Sequence, residues 1–193
     1  MTRKYLFIIL FFTIISHSIY ASEQYPDLII YNGKEYEIGN YPMETYFEIY
    51  PNRRPKSIGK NSALLRGYRA KYEIINNELV LLEIQTKKLN GNWRIVNNRY
   101  FRNKPKINTF SGRINIFSGE TTGVFMAFTP IYESYIILEI KDGNFIREYE
   151  ENCYEYLKSI IQSFPNGSHE QNYFIGLLEK LNKKNNWYSP NRT

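Results

Sequence analysis

The sequence predicts an α+β fold: a mostly antiparallel sheet of about seven or eight strands built from hairpins, with helices packed on one face. Three observations predict it. Asn32-Gly33, Asn76-Asn77 and Asp142-Gly143 each separate two strand-like runs, and Asn-Gly or Asp-Gly tolerates the positive φ angles of a two-residue turn. Strands joined so tightly run antiparallel. Finally, apolar residues recur at helical spacing in two stripes near the C-terminal end, and such stripes need a sheet face to cover.

Taken in order, the first hairpin is DLIIY (Asp27–Tyr31) against KEYEI (Lys34–Ile38), closed by Gly39-Asn40. Pro42 stands where a helix begins, since a first-turn residue needs no N–H. Met43, Tyr46, Phe47 and Tyr50 follow at helical spacing until Pro51 stops them. Residues 52–60 (NRRPKSIGK) read as loop. From Arg66 to Ile74 the even positions are Arg66, Tyr68, Ala70, Tyr72 and Ile74, alternating with Gly67, Arg69, Lys71 and Glu73. That period of two predicts a half-buried strand. LVLLEI (Leu79–Ile84) returns as a nearly unbroken apolar run, the mark of a strand covered on both faces.

Trp93, Val96 and Tyr100 predict a short helix that ends before Pro105. Phe110-Ser111-Gly112 and Phe117-Ser118-Gly119 predict a strand, Arg113–Ile116, entered and left through Ser-Gly turns. VFMAF (Val124–Phe128) predicts another, closed by Pro130. YIILEI (Tyr135–Ile140) and Phe145–Tyr149 form the third hairpin. Cys153, Leu157, Ile160, Ile161 and Phe164 predict one helix; Tyr173, Phe174, Leu177, Leu178 and Leu181 predict another. Pro165-Asn166-Gly167 breaks them apart. Residues 22–182 read as one domain, and residues 183–193 as a polar, fraying tail.

The N-terminal residues have a separate logic. Met1-Thr2-Arg3-Lys4 is basic, YLFIILFFTII (Tyr5–Ile15) is apolar, and small residues recur at Ser16, Ser18, Ala21 and Ser22. That order predicts a cleavable signal peptide over residues 1–21. The apolar core is too short for a spanning helix, which needs roughly 20 residues. Cleavage after Ala21 is expected, with Ser18 as the alternative site and an uncleaved anchor as the competing reading. No second long apolar run follows, so no transmembrane segment is expected after cleavage. The chain is therefore expected to be exported, to a periplasm or beyond.

Composition narrows the chemistry. Cys153 is the single cysteine, so no internal disulfide forms, and a small apolar role on a helix face is expected of it. His17 leaves with the signal, and His169 sits in a turn-like Asn166-Gly167-Ser168 context. One histidine and one cysteine do not make a zinc site, and no serine triad or cofactor fingerprint is present. Gly59-Lys60-Asn61-Ser62 lacks the upstream glycine of a phosphate loop. Lys+Arg 25 exceed Asp+Glu 19, a net +6 that falls by two without Arg3 and Lys4. The excess is uneven. No acid lies between Glu83 and Glu120, a window holding Lys87, Lys88, Arg94, Arg99, Arg102, Lys104, Lys106 and Arg113. The stretch after it is acidic. Such asymmetry predicts either internal pairing of the two halves or an anionic partner.

Three groups of side chains are candidates. Arg66 shares a predicted strand face with Tyr68 and Tyr72, where a guanidinium needs a carboxylate; Glu44, Glu83 and Glu139 are the expected partners. A structural ion pair is the favoured reading, a ligand-binding arginine beside tyrosines the other. Trp93, Tyr100 and Phe101 interleave with Arg94, Arg99 and Arg102, a mixture suited to anionic ligands. Export turns that mixture away from nucleic acid and toward an envelope protein or an anionic glycan or lipid. Glu83, Glu133 and Glu139 are the only acids named for paired-carboxylate glycoside hydrolysis.

YPDLIIYNGKEYEI, PMETYFEIYP with its RRP, SALLRGYRAKYEI and YESYIILEIKDGN resemble a family of uncharacterised bacterial proteins with a Tyr-Asn-Gly hairpin and an Arg-Gly-Tyr-x-Ala strand. The likeness spans about Tyr25 to Tyr149 and implies no activity, cofactor or catalytic residue. The functional expectation is a non-enzymatic binding protein of the cell envelope. The alternatives are a small glycan-acting hydrolase and an inhibitor or immunity-type protein.

Overall fold

Asn32 and Gly33 adopt φ angles of 49° and 75°, the left-handed pair of a type I′ turn. They join β1 (Asp27–Tyr31) to β2 (Lys34–Ile38) in antiparallel register. The same chemistry closes two further hairpins. Asn76 and Asn77 join β3 (Arg69–Ile75) to β4 (Glu78–Lys87), and Asp142-Gly143 joins β7 (Thr129–Lys141) to β8 (Asn144–Asn152), all at positive φ. This computed structural model describes residues 24–56, 62–88, 91–96, 101, 103–126 and 129–185. The expected signal segment, Arg99 and Arg102 lie outside the described residues.

The eight strands form one mostly antiparallel sheet in the order β3-β1-β2-β6-β7-β8-β4-β5, as expected of the α+β class. Only β1 and β3 run parallel among the described pairs, which requires the crossover through α1 (Met43–Ile49). Because β3 pairs with β4 as well as with β1, seven strands close into a ring, and β5 (Trp93–Ile95) hangs on the outer edge of β4. Two seams of the ring are short: β2 meets β6 (Gly112–Met126) at Ile38 and Ile116, and β4 meets β8 at Glu78 and Asn144. Residues 105–107 reinforce the second seam by lying along β4, with Leu81 N donating to Pro105 O and Ile107 N to Leu79 O, both at 2.9 Å.

Alternation along β7 divides the core in two. Leu138 and Ile140 face the ring interior with Ile29, Ile38, Tyr72, Leu81 and Ile114, and Met43 and Phe47 of α1 fill that same cluster. Tyr135 and Ile137 point the other way, against Cys153 and Leu157 of α2 (Cys153–Ser163) and Leu177 and Leu181 of α3 (His169–Asn185). The two C-terminal helices thus share one sheet face, while short α1 packs into the other. Each such buried aliphatic or aromatic side chain contributes about 1.5–3 kcal/mol. Asn152 caps α2 by accepting from Glu155 N at 2.9 Å.

Four local expectations are corrected. Trp93–Ile95 is a strand, not a helix: three residues carry no period of their own, and the edge of β4 supplies the hydrogen bonds. The second Phe-Ser-Gly does not end a strand. β6 runs through it with a register shift after Ser118, and Gly119 takes φ 73° in that bulge. Pro130 stands inside β7 opposite Phe125 near the hairpin tip rather than closing a strand. The last helix continues through Asn185, where Lys183 and Lys184 suit its carbonyl-rich end and Lys184 Nζ reaches Thr122 O at 2.9 Å.

Candidate functional site

Arg66 is not on β3. Gly67, at φ 82°, turns the chain immediately before the strand, so the predicted alternation begins at Tyr68. The turn carries Arg66 to Asp27 at the start of β1, with Nη1 donating to Oδ1 at 3.0 Å. None of the three expected glutamates is its ion-pair partner. Asp27 is 0% exposed and accepts two further bonds, from Ala70 N at 3.0 Å and the Tyr72 hydroxyl at 3.1 Å. Arg66 Nη2 donates to Tyr25 O at 2.7 Å, and the guanidinium carbon sits 3.6 Å from the Tyr41 ring centre. Burial raises the Asp27 pKa, opposed chiefly by the Arg66 charge.

Glu44 has a different task. Arg54 grips its carboxylate at 2.9 and 2.8 Å, and the Tyr68 hydroxyl donates to it at 2.6 Å. Burial pushes its pKa up, but the bonds from Arg54 and Tyr68 outweigh that and leave it lowered. Tyr68 and Tyr72 are fully buried, and burial raises both phenol pKa values. Arg66, Tyr68 and Tyr72 therefore tie β1, α1 and β3 together. Every oxygen of both carboxylates is spoken for by protein donors. This network matches the structural ion-pair reading of Arg66, with a different acid.

Trp93 belongs to another cluster, built by strand register. Arg69 of β3 stands opposite Gln85 of β4, which stands opposite Ile95 of β5; two pairs along, and so on the same face, Lys87 stands opposite Trp93. Residues in register share a face, so these five lie together on the outside of the ring, away from α2 and α3. The Arg69 guanidinium is 4.5 Å and the Lys87 ammonium 5.2 Å from the Trp93 ring centre. Tyr25 meets Trp93 edge-on at 5.2 Å, and Lys87 both overlies the Tyr25 ring at 4.1 Å and donates to its hydroxyl at 2.5 Å. Arg69 also donates to Gln85 Oε1 at 2.9 Å. Among the described residues neither cation forms an ion pair. Arg94 alternates to the opposite side, where its register partner Thr86 is buried. The structure thus separates Arg94 from Trp93.

The basic window divides accordingly. Arg113 pairs with Glu151 at 2.5 Å, the internal pairing of basic window and acidic stretch that charge asymmetry allows, while Lys106 pairs with Glu78, which precedes the window, at 3.0 Å. Lys87 remains available.

The three candidate acids do not converge. Glu139 pairs with Arg147 at 2.6 Å across β7 and β8, and Glu83 accepts from Gln85 at 2.8 Å on β4. Glu133 is exposed on the same strand as Glu139, and six residues of strand put about 20 Å between them. A retaining or inverting pair needs roughly 5–10 Å. Cys153 is buried at the start of α2, its thiol pushed up to about 11 by burial, and His169 opens α3 exposed to solvent. Among the described residues no group of three His, Cys, Asp or Glu is arranged to hold a metal, and no helix is long and apolar enough to cross a membrane.

Comparison of the chain with family models, with curated proteins and with solved structures finds no match. The residues that sequence reasoning missed are Asp27, Tyr25, Arg69 and Lys87 in their present roles. Arg69 and Lys71 did signal an outward face through the alternation of β3. Nothing in the chain order signals that Tyr25 closes on Lys87, 62 residues away.

Proposed function

We propose that the chain is a non-enzymatic binding protein of the bacterial cell envelope, reached by export, whose basic-aromatic corner on β3, β4 and β5 receives an anionic partner. The observation that carries this reading is the placement of Arg69 and Lys87 on Trp93, with neither in an ion pair among the described residues. Cations held against aromatic rings are already oriented and partly stripped of water, so a partner's anion displaces little. The N-terminal sequence supports an envelope location. The expected glycan-hydrolase alternative draws no support from glutamates that are separated or engaged elsewhere.

The reading is tested by binding to lipopolysaccharide, an acidic glycan and anionic vesicles at two ionic strengths, comparing wild type with the Arg69→Gln/Lys87→Gln double variant. Expected is binding to at least one material that weakens with salt and drops about 30-fold in the double variant, since two charges at roughly 1 kcal/mol each are lost. Equal binding by both proteins, or no binding to any of the three at low salt, refutes it.

A further inference from the structure

The same corner says what kind of anion it meets, an inference that rests on the reading above. Its five register-matched residues cover a small area. Three strands at about 4.8 Å spacing and two rows about 7 Å apart make it some 10 Å by 7 Å. Within that area lie two cations, one indole, the Gln85 amide and one bare aliphatic side chain: Ile95 is 58% exposed.

That combination selects among anionic partners. An acidic glycan stacks its sugar rings on bare aromatic faces, but the Trp93 ring already carries Arg69 and Lys87. A sugar also gains nothing from Ile95. A soluble polyanion is satisfied by charge alone and leaves Ile95 in water. A phospholipid surface offers phosphates and hydrocarbon within a few ångströms of each other. Tryptophan and tyrosine settle at that level, and lysine stems lie along apolar surface with their heads at the phosphates.

We infer that the β3–β5 corner docks on the anionic face of a phospholipid bilayer, with Ile95 and Trp93 at headgroup depth and Arg69 and Lys87 on the phosphates. The contact is peripheral. Two cations at roughly a fivefold gain each, with one exposed isoleucine, give reversible binding rather than insertion.

The test is co-sedimentation with vesicles of phosphatidylcholine alone and of phosphatidylcholine with 30% phosphatidylglycerol, beside retention on soluble polyphosphate. Protein is used as processed by the expressing cell, so that every variant carries the same N-terminus. Lys87→Gln removes a charge, Ile95→Ser removes the exposed aliphatic group, and Lys158→Gln on exposed α2 surface controls for net charge. Expected is at least tenfold preference for the phosphatidylglycerol vesicles, reduced severalfold by Lys87→Gln and by Ile95→Ser but not by Lys158→Gln. Ile95 is on the surface, so its variant folds, and unchanged circular dichroism verifies this. Polyphosphate binding without vesicle binding, or vesicle binding indifferent to Ile95→Ser, overturns the lipid assignment and leaves the anionic reading standing. Equal losses from Lys158→Gln and Lys87→Gln overturn the corner as the site. Binding to neither material overturns both.

Discussion

Replacing Arg66 with methionine isolates the energetics of the buried network. The substitution keeps most of the side-chain volume but removes the bonds to Asp27 and to Tyr25 O and the stack on Tyr41. Asp27, 0% exposed, keeps only Ala70 N and the Tyr72 hydroxyl. Removing one partner of a buried pair leaves an uncompensated charge and costs about 3–5 kcal/mol. For a chain of this size each kcal/mol moves the melting temperature by roughly 2–4 °C, so a fall of about 6–20 °C at pH 7 is expected.

The pH dependence carries the sharper signature. Burial already raises the Asp27 pKa above its ordinary 3.8, and Arg66 is the largest influence holding it down. Without Arg66 it rises further. A carboxylate whose folded pKa exceeds its unfolded value binds its proton more tightly when folded. Its destabilisation is therefore absent below the unfolded pKa and grows as pH climbs through the folded one. The deficit of Arg66→Met should narrow as pH falls from 7 toward 4, and adding Asp27→Asn should recover part of it. Thermal unfolding of the two single variants and the double, at pH 4.5 and 7, completes the cycle. A deficit under about 2 °C, or one of equal size at both pH values with additive single effects, refutes the reasoning.

Glu44 titrates with the opposite sign. Its lowered pKa means that its contribution is present above the ordinary value of 4.5 and is lost as pH falls through the folded one. Urea midpoints between pH 3 and 6 should thus fall more steeply for wild type than for Glu44→Gln, which gives up about 1 kcal/mol at pH 7. At Gly143, φ is 71° and an added Cβ would meet Ile107 O at 2.6 Å, whereas at Gly33 it would meet nothing within 4 Å. Gly143→Ala should cost at least about 2 kcal/mol by chemical denaturation and Gly33→Ala about 1 kcal/mol, the left-handed strain alone. With its thiol moved from 9.0 to about 11 and buried, Cys153 should react with a disulfide reagent at pH 8 at least a hundredfold more slowly than after unfolding. A rate matching the unfolded chain would contradict the packing of α2.

What the sequence made legible was local. Asn32-Gly33 and Asp142-Gly143 announce hairpins because only a few residues tolerate the turn they need, and Tyr68, Ala70 and Tyr72 announce an inner face because a strand alternates. The misses are all decided at a distance. Trp93–Ile95 becomes a strand because β4 offers an edge, not because of its own residues. Asp27 becomes the partner of Arg66 because β1 and β3 run parallel, and a parallel pairing across a helical crossover leaves no mark in the order of residues. Arg69, Lys87 and Trp93 meet through two registers at once. A one-residue slip in either would send them to the other side.

The split of the basic residues yields one last expectation. Arg66 and Arg69 stand three residues apart, yet Gly67 sends the first inward to a carboxylate and strand alternation sends the second outward to an indole. The same division separates Lys106 from Lys87. Lys106 Nζ joins Glu78 at 3.0 Å and Asn144 Oδ1 at 2.6 Å where β4 meets β8, so its charge closes the ring. Lys87 touches only aromatic partners among the described residues, so its charge remains for something else. Lys106→Gln should lower stability by about 1 kcal/mol and leave anion binding within twofold. Lys87→Gln should do the reverse, losing severalfold in binding for under about 1 kcal/mol of stability. If both variants weaken binding alike, the partner senses only net charge, and the aromatic setting of Lys87 is a structural device of the β5 edge.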